Sequence, residues 1–95
     1  MKNSSYKIVR TFSAGVFAGN VISRKGQEVK MKNARRLWYW KGAASLSQLA
    51  MEGVKYPSEC KFAMPVTVEL LQAVEILDVS NVGKKSIERV PEWKM

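Results

Sequence analysis

The segment from Lys30 to Lys41 holds the residue types and spacing that are best suited to binding chemistry. Two adjacent arginines, Arg35 and Arg36, are followed after one leucine by three consecutive aromatic residues. An aromatic ring beside a cation can stack on a nucleotide base while the cation pairs with a phosphate. This pattern predicts a surface for an anionic ligand, either a nucleic acid or a nucleotide. The candidate ligand-binding residues are Lys30, Lys32, Arg35, Arg36, Trp38, Tyr39, Trp40, Lys41 and Ser45.

The two arginines are expected to point to opposite faces, because side chains alternate along a strand. One face would hold Arg36, Trp38 and Trp40, and the other would hold Arg35, Leu37, Tyr39 and Lys41. Both faces cannot be equally buried when each carries an arginine, so one should present an aromatic ring beside a cation. We expect only the arginine on that face to contribute strongly to binding. The alternative is that the tryptophans are core residues and the arginines lie at the sheet edge.

Ser45 marks a second candidate anion site, at the start of a predicted helix. The sequence Ser45-Leu46-Ser47-Gln48 matches a capping box, in which the serine hydroxyl and the glutamine side chain each accept a bond from the other residue's amide. The free amides of such a helix start, with Lys41 nearby, suit an anion. The alternative is a capped helix without a ligand, which is the commoner arrangement.

The composition argues against an enzyme. The chain has no histidine, which removes the commonest general base and the commonest transition-metal ligand. Its one cysteine, Cys60, cannot build a zinc site and has no evident base beside it, and no glycine-rich phosphate loop is present. The acids Glu69, Glu75 and Asp78 are spaced like an outward face. We therefore expect a non-enzymatic protein without a cofactor or metal.

The positive charge is unevenly distributed along the chain. Residues 1–41 contain ten basic residues and one acid, whereas residues 42–95 contain six basic and seven acidic residues. This asymmetry is typical of a face that meets an anionic partner. The alternative is that the net charge of +8 serves solubility, because such a value is ordinary for a small soluble domain.

The length and composition predict one intracellular domain over residues 1–95. A chain of 95 residues has room for one core, and the small core makes self-association a live alternative. The longest apolar runs are far too short to cross a membrane, and the polar start Met1–Ser5 lacks the features of a signal peptide. With Cys60 alone, no internal disulfide can form, so we expect a reducing compartment, the cytoplasm.

The hydrophobic pattern predicts an α+β fold. We expect a small antiparallel sheet of five to six strands, open or barrel-like, with one short central helix and a C-terminal helix. Glu28–Lys32 shows the clearest alternation, with Val29 and Met31 inward, and should form a hairpin with the strand before it. The segments with strand character are Tyr6–Thr11, Val16–Ser23, Glu28–Lys32, Arg35–Trp40, Lys61–Met64, Thr67–Leu70 and Val74–Val79.

The helices are predicted from their caps. The central helix begins after Ser45 and ends at Gly53, which can adopt the left-handed conformation. The second helix spans Asn81–Arg89 and is capped by Ser80, with Val82 and Ile87 inward. Residues 66–79 fit two strands around a turn or one helix, and their β-branched content favours two strands.

Several motifs resemble an uncharacterised family of short proteins encoded by tailed bacteriophages and prophages, which is classed as a domain of unknown function. The resemblance is carried by Asn33–Trp40, by Gly42–Ala50 and by Gly53-Val54. Further similar stretches are Val9–Thr11, Ser13–Gly19, Glu75–Asp78, Lys84–Glu88, Val90-Pro91 and Trp93. The resemblance implies a viral origin and expression inside a bacterial cell, and it transfers no activity.

Small phage proteins without catalytic residues often act against host defences or as accessory factors on nucleic acid. We therefore expect a phage accessory protein of the host bacterial cytoplasm that binds an anionic ligand through its basic, aromatic segment. The first alternative is a protein-binding inhibitor of a host defence or transcription complex, in which the exposed aromatic residues anchor the interface. The second alternative is a minor component of the virion.

Overall fold

A computed structural model of the chain describes residues 5–95, so most of the polar start Met1–Ser5 and the first four residues of the predicted 1–95 domain lie outside it. The elements are β1 (Tyr6–Thr11), β2 (Val16–Lys25), β3 (Glu28–Tyr39), α1 (Leu46–Glu52), β4 (Lys61–Phe62), β5 (Val66–Leu70), β6 (Ala73–Asp78) and α2 (Asn81–Arg89). The predicted α+β class with its short central and C-terminal helices is confirmed. No helix in residues 5–95 is long and apolar enough to span a membrane.

The sheet has six strands and every strand pair within it is antiparallel. Its order is β4-β3-β2-β1-β6, and β5 pairs with β3 along the earlier part of that strand. Only Leu71 and Gln72 separate β5 from β6, although the two strands pair with opposite sides of the β1–β2–β3 meander. The sheet is therefore rolled, but it does not close into a barrel, because β5 and β6 form no ladder with each other within residues 5–95.

The predicted hairpin between β2 and β3 is confirmed, with Val29 and Met31 fully inside. Glu28–Lys32 and Arg35–Trp40, which we predicted separately, belong to one strand that ends at Tyr39. Asn33 interrupts the alternation with φ of +52°, and the register opposite it shifts at Gly19. This β-bulge inserts one residue, so Ala34 and the even-numbered positions after it continue the face of Met31.

Two hydrophobic cores lie on the two faces of the sheet. One core lies between the sheet and the helices and comprises Tyr6, Ile8, Ala18, Leu37, Leu49, Ala50, Cys60, Phe62, Ile87 and Val90. The other core lies inside the roll and comprises Val9, Phe17, Val29, Met31, Ala34, Leu70 and Ala73. The central strands thus bury side chains on both faces, which explains why the alternation of polar and apolar residues is weak along β1 and β2.

Both helices begin where their caps predict. The Ser45 hydroxyl accepts from the Gln48 amide, but the reciprocal bond differs from the capping box, because Gln48 Oε1 accepts from the Ala44 amide. Ser80 caps α2 by accepting from Gly83. Ile87 is buried as predicted, whereas the inward placement of Val82 is wrong, since its side chain is 63% exposed.

Gly83 takes the inward position that we assigned to Val82. A Cβ atom at Gly83 would lie 2.2 Å from the carbonyl oxygen of Ala50, so α2 crosses α1 where only a glycine fits. Gly83 and Ile87 are four residues apart and form the buried stripe of α2. The two-strand interpretation of residues 66–79 is confirmed by β5 and β6.

Gly19 should be indispensable to the β-bulge. A Cβ atom there would lie 2.7 Å from Ala34 Cα and 2.8 Å from the carbonyl oxygen of Asn33, which are main-chain atoms that cannot give way separately. We expect Gly19→Ala to lower the free energy of unfolding by about 2–3 kcal/mol, measured by urea titration. Gly26→Asn is the control, because Gly26 has open space around it and asparagine tolerates its φ of +60°. Equal stability of the two variants would contradict the close packing at Gly19.

Candidate functional site

Arg35 lies in the core, with 4% of its surface exposed. Its Nε donates to the carbonyl of Ala63 at 2.8 Å, and its Nη1 donates to the carbonyls of Ile87 and Val90, each at 2.8 Å. Its Nη2 donates to the carbonyl of Phe62 at 3.1 Å. Burial lowers the pKa of the guanidinium from its ordinary value, and the nearby Tyr6 counteracts this shift. The donors of Arg35 are therefore committed to the protein's own main chain.

Arg36 has a different environment on the opposite face of β3. Its guanidinium carbon lies 4.7 Å from the ring centre of Phe17 and 5.6 Å from that of Trp38. The side chain makes no hydrogen bond or ion pair with any of residues 5–95, and its Nε is shielded from solvent without a partner. Stacking on two rings therefore positions the guanidinium while leaving its hydrogen-bonding donors unused.

A cleft of about 500 Å³ opens beside this guanidinium. We call it the Arg36 cleft, and its lining residues are Thr11, Ser13, Ala14, Arg36, Val68, Glu69, Leu70, Leu71 and Gln72. The roll of the sheet creates it by bringing the β1–β2 turn against the β5–β6 connection. Two bonds join these walls: the Phe12 amide donates to the Gln72 carbonyl at 2.9 Å, and the Ser13 hydroxyl donates to Gln72 Oε1 at 3.1 Å. Its volume lies within the usual range of small-molecule sites, roughly 300–1,000 Å³.

Exposed apolar side chains belong to or adjoin the lining of the Arg36 cleft: Leu71 lines it, Phe12 stands between the lining residues Thr11 and Ser13 in the chain, and Trp38 contacts Arg36. Phe12 is 78% exposed, Leu71 is 67% exposed and Trp38 is 60% exposed. Trp38 stacks on the Arg36 guanidinium, and most of its side chain remains exposed to solvent. The site therefore combines one cation in a partly desolvated position with aromatic surface that can stack on a planar group.

The other predicted site residues lie elsewhere. Lys30 and Lys32 are exposed on the face of β3 opposite Met31, in register with Glu69 and Asn20 respectively. Within residues 5–95, neither lysine forms an ion pair. They are therefore separated from Arg36 by the thickness of the sheet.

The C-terminal end of β3 leads to a third region. Tyr39 is exposed, and Trp40 is half-buried against the core beneath the helices. Lys41 pairs with Glu59 at 2.9 Å, and this hydrogen bond raises the pKa of the lysine. Ser45 uses its hydroxyl oxygen to cap α1. Of the nine predicted residues, the structure thus brings only Arg36 and Trp38 together at the cleft.

Sequence reasoning missed Phe12, Ser13, Leu71 and Gln72, which complete the site. Phe12 and Ser13 are adjacent in the chain, as are Leu71 and Gln72, but the two pairs lie about sixty positions apart, with a separation of 59 between Ser13 and Gln72. One local signal existed, because Phe12 is a large apolar residue directly before the polar turn Ser13-Ala14-Gly15, where a buried position is not expected. Their meeting depends on the roll of the sheet.

A second concavity is larger than the Arg36 cleft, but its described lining has no cation without a hydrogen-bond or ion-pair partner. A groove of about 600 Å³ lies between the tip of the β2–β3 hairpin and the start of β6. Its charged side chains already have partners, because Arg24 Nε donates to the Gly26 carbonyl and Glu75 pairs with Arg10. No group of three or more histidine, cysteine, aspartate or glutamate side chains in residues 5–95 is placed to hold a metal ion. The Arg36 cleft is therefore the candidate site.

Comparisons with known proteins give a family and nothing closer. A family model described as a domain of unknown function, DUF6948, matches residues 4–87 of the chain. No curated protein and no solved structure matches the chain.

The two arginines should differ sharply in their effect on stability. We expect Arg35→Lys to lower the free energy of unfolding by about 2–4 kcal/mol, because one ammonium cannot replace a planar fork that serves several buried carbonyls. Arg36→Lys is the matched control and should change stability little, since Arg36 makes no hydrogen bond within residues 5–95. Urea titration of both variants measures the difference. A silent Arg35→Lys would show that its bonds do not hold the fold.

Proposed function

Since this chain belongs to the DUF6948 family, a domain of unknown function, we propose its function from the Arg36 cleft: the protein binds an anionic ligand there. In this proposal it is a phage-encoded, non-enzymatic accessory protein of the host bacterial cytoplasm, and it counters a host defence by binding a nucleotide signal or nucleic acid. The phage origin is supported by the resemblance of Asn33–Trp40 and Gly42–Ala50 to short phage and prophage proteins.

The contrast between the two adjacent arginines carries this proposal. Arg35 donates to main-chain carbonyls at 2.8–3.1 Å, which is what a structural arginine requires. Arg36 is held by stacking on Phe17 and Trp38, but it has no hydrogen-bond acceptor among residues 5–95. A fixed guanidinium with unused donors is suited to a phosphate or carboxylate, which it can bind through two parallel hydrogen bonds.

The distribution of charge supports an anionic partner. Lys7, Arg10 and Lys41 pair with acids of the same chain. Lys30 and Lys32 have no ion pair within the described residues and add positive potential beyond the cleft. A net charge of +8 attracts anions at long range and raises their rate of association.

Replacing Arg36 should weaken binding without unfolding the protein. We expect Arg36→Lys to reduce the affinity for the bound nucleotide or oligonucleotide by about 1–2 kcal/mol, roughly 5- to 30-fold, because lysine cannot form the bidentate pair. Quenching of the tryptophan fluorescence, to which Trp38 contributes together with Trp40 and Trp93, measures the affinity in titrations with nucleotides and short oligonucleotides. Arg89→Lys is the matched control, because it makes the same exchange at an exposed position on α2. Equal affinities of Arg36→Lys and the wild type would remove the cleft from the proposal.

The exposed apolar rim favours a second candidate function. Phe12, Leu71 and Trp38 are exposed, Trp38 contacts Arg36 and Leu71 lines the same cleft, and aromatic residues with arginine dominate the energetics of protein interfaces. The protein would then be an inhibitor that docks this rim onto a host defence or transcription complex, with an acidic side chain of the partner against Arg36. A minor virion component would also use such a rim, and its presence in purified particles tests that role.

The protein-binding candidate predicts a specific loss of a partner. We expect Leu71→Lys to abolish recovery of a stoichiometric protein from nuclease-treated host lysate, because the lysine places a charge in a desolvated interface. Val82→Lys is the matched control, because Val82 is similarly exposed but lies on α2. Recovery of the same partner by wild type and both variants would show that the rim is not the interface. Recovery of none would leave the small anionic ligand as the function.

A further inference from the structure

Within the described part of the chain, one cationic side chain, Arg36, lines the cleft. We infer that the ligand of the cleft is a nucleoside phosphodiester that presents a single negative charge and one stacked base. This inference rests on the proposed function and specifies it. A terminal phosphate carries about two charges and a longer nucleic acid carries many, so the inference separates the Arg36 cleft from a general nucleic-acid surface.

Few of the described charged residues beside the cleft are left without a partner. Arg36 is the cation in its lining, and Glu69 is the acid. On the neighbouring strand β1, Lys7 pairs with Asp78, and Arg10 pairs with Glu75 at 2.9 Å. The other cation of the arginine pair, Arg35, is directed into the opposite core. Among the described residues that line the cleft, Arg36 is therefore the one positive charge, and the carboxylate of Glu69, which forms no ion pair within residues 5–95, disfavours a second negative charge on the ligand.

The lysines that a polyanion would need lie on the other face of the sheet. Lys30 and Lys32 extend from the face of β3 opposite to Arg36, because the β-bulge at Asn33 puts the even-numbered positions before and after it on different faces. A nucleic-acid backbone lying in the cleft cannot reach them without passing over the edge of the sheet. Successive phosphates would thus find no cation next to Arg36, and a second charge in a partly desolvated site is costly without a partner.

The side chains at the cleft match the chemistry of one phosphodiester and one base. A guanidinium fork matches the two non-bridging oxygens of one phosphodiester, and the exposed part of Trp38 suits one base. The Thr11 hydroxyl is engaged with Gly15 and Ala14. The Ser13 hydroxyl oxygen can still accept a hydrogen bond and the Gln72 side-chain nitrogen can still donate one, so both can bond sugar hydroxyls or base edges. The site therefore suits one anion at Arg36 and one planar ring at the adjacent Trp38.

Four probes that differ mainly in charge test the inference. The wild-type protein is titrated with adenosine, adenosine 3′,5′-cyclic monophosphate, adenosine 5′-monophosphate and a twelve-nucleotide single-stranded DNA, at low and moderate salt. We expect the cyclic monophosphate to bind at least tenfold tighter than adenosine and than the 5′-monophosphate. Its affinity should depend weakly on salt, with a logarithmic slope of roughly −1 or shallower, as neutralisation of one phosphate requires. Arg36→Lys should reduce this affinity.

Three outcomes would overturn the inference. If the 5′-monophosphate binds tighter than the cyclic monophosphate, and Arg36→Lys weakens it, the cleft takes a dianion and only the proposed anionic function survives. If the oligonucleotide binds tightest, with a slope of roughly −3 or steeper, and Lys30→Gln weakens it while Arg36→Lys does not, the lysine face binds nucleic acid instead. If no probe binds at low salt, the proposed anionic function fails together with the inference, and the protein-binding candidate remains.

Discussion

The guanidinium of Arg35 joins β3 to the end of α2, which no β-ladder connects to β3 within residues 5–95. Its bonds reach the β4–β5 connection at Ala63 and the end of α2 at Ile87 and Val90. Carbonyls at the end of a helix lack intrahelical partners, and a buried cation is costly unless its donors are satisfied. The carbonyls of Ile87 and Val90 therefore satisfy the donors of the buried guanidinium, and the same bonds hold the end of α2 against β3. The position of α2 on the sheet follows from this bond set together with the close crossing of α1 at Gly83.

The β-bulge at Asn33 decides which arginine becomes structural and which becomes available. Without the extra residue, the face of Met31 would continue to Arg35, and Arg36 would enter the core beneath the helices. With it, Arg36 stacks on Phe17 inside the roll and meets the cleft. Gly19 permits the bulge because the main chain of Ala34 passes directly over it. A local backbone feature thus separates two identical side chains into two different roles.

Local signals in the sequence predicted most elements, whereas the site required information that is not local. The caps at Ser45 and Ser80 and the hairpin before Val29 were recognisable because their chemistry lies within a few residues. The inward placement of Val82 was wrong because apolar side chains alone were used to choose the buried face of α2. The buried position is Gly83, where the close approach of α1 leaves no room for a side chain. The alternation rule assigned the two arginines to opposite faces correctly, but it could not say which face was buried. Phe12 and Gln72 meet only because the sheet is rolled.

The pairing of β1 with β6 also shapes how the protein folds. Lys7 and Asp78 are 71 positions apart, and Arg10 and Glu75 are 65 apart. Contacts at such separation carry a large loop-closure entropy, so folding is slow compared with that of a helical domain of similar length. The walls of the Arg36 cleft come from these two distant regions, so we expect the cleft to form late in folding. Interactions that form late act mainly on the unfolding rate, so a ligand bound in the cleft would prolong the lifetime of the folded chain and leave the folding rate nearly unchanged.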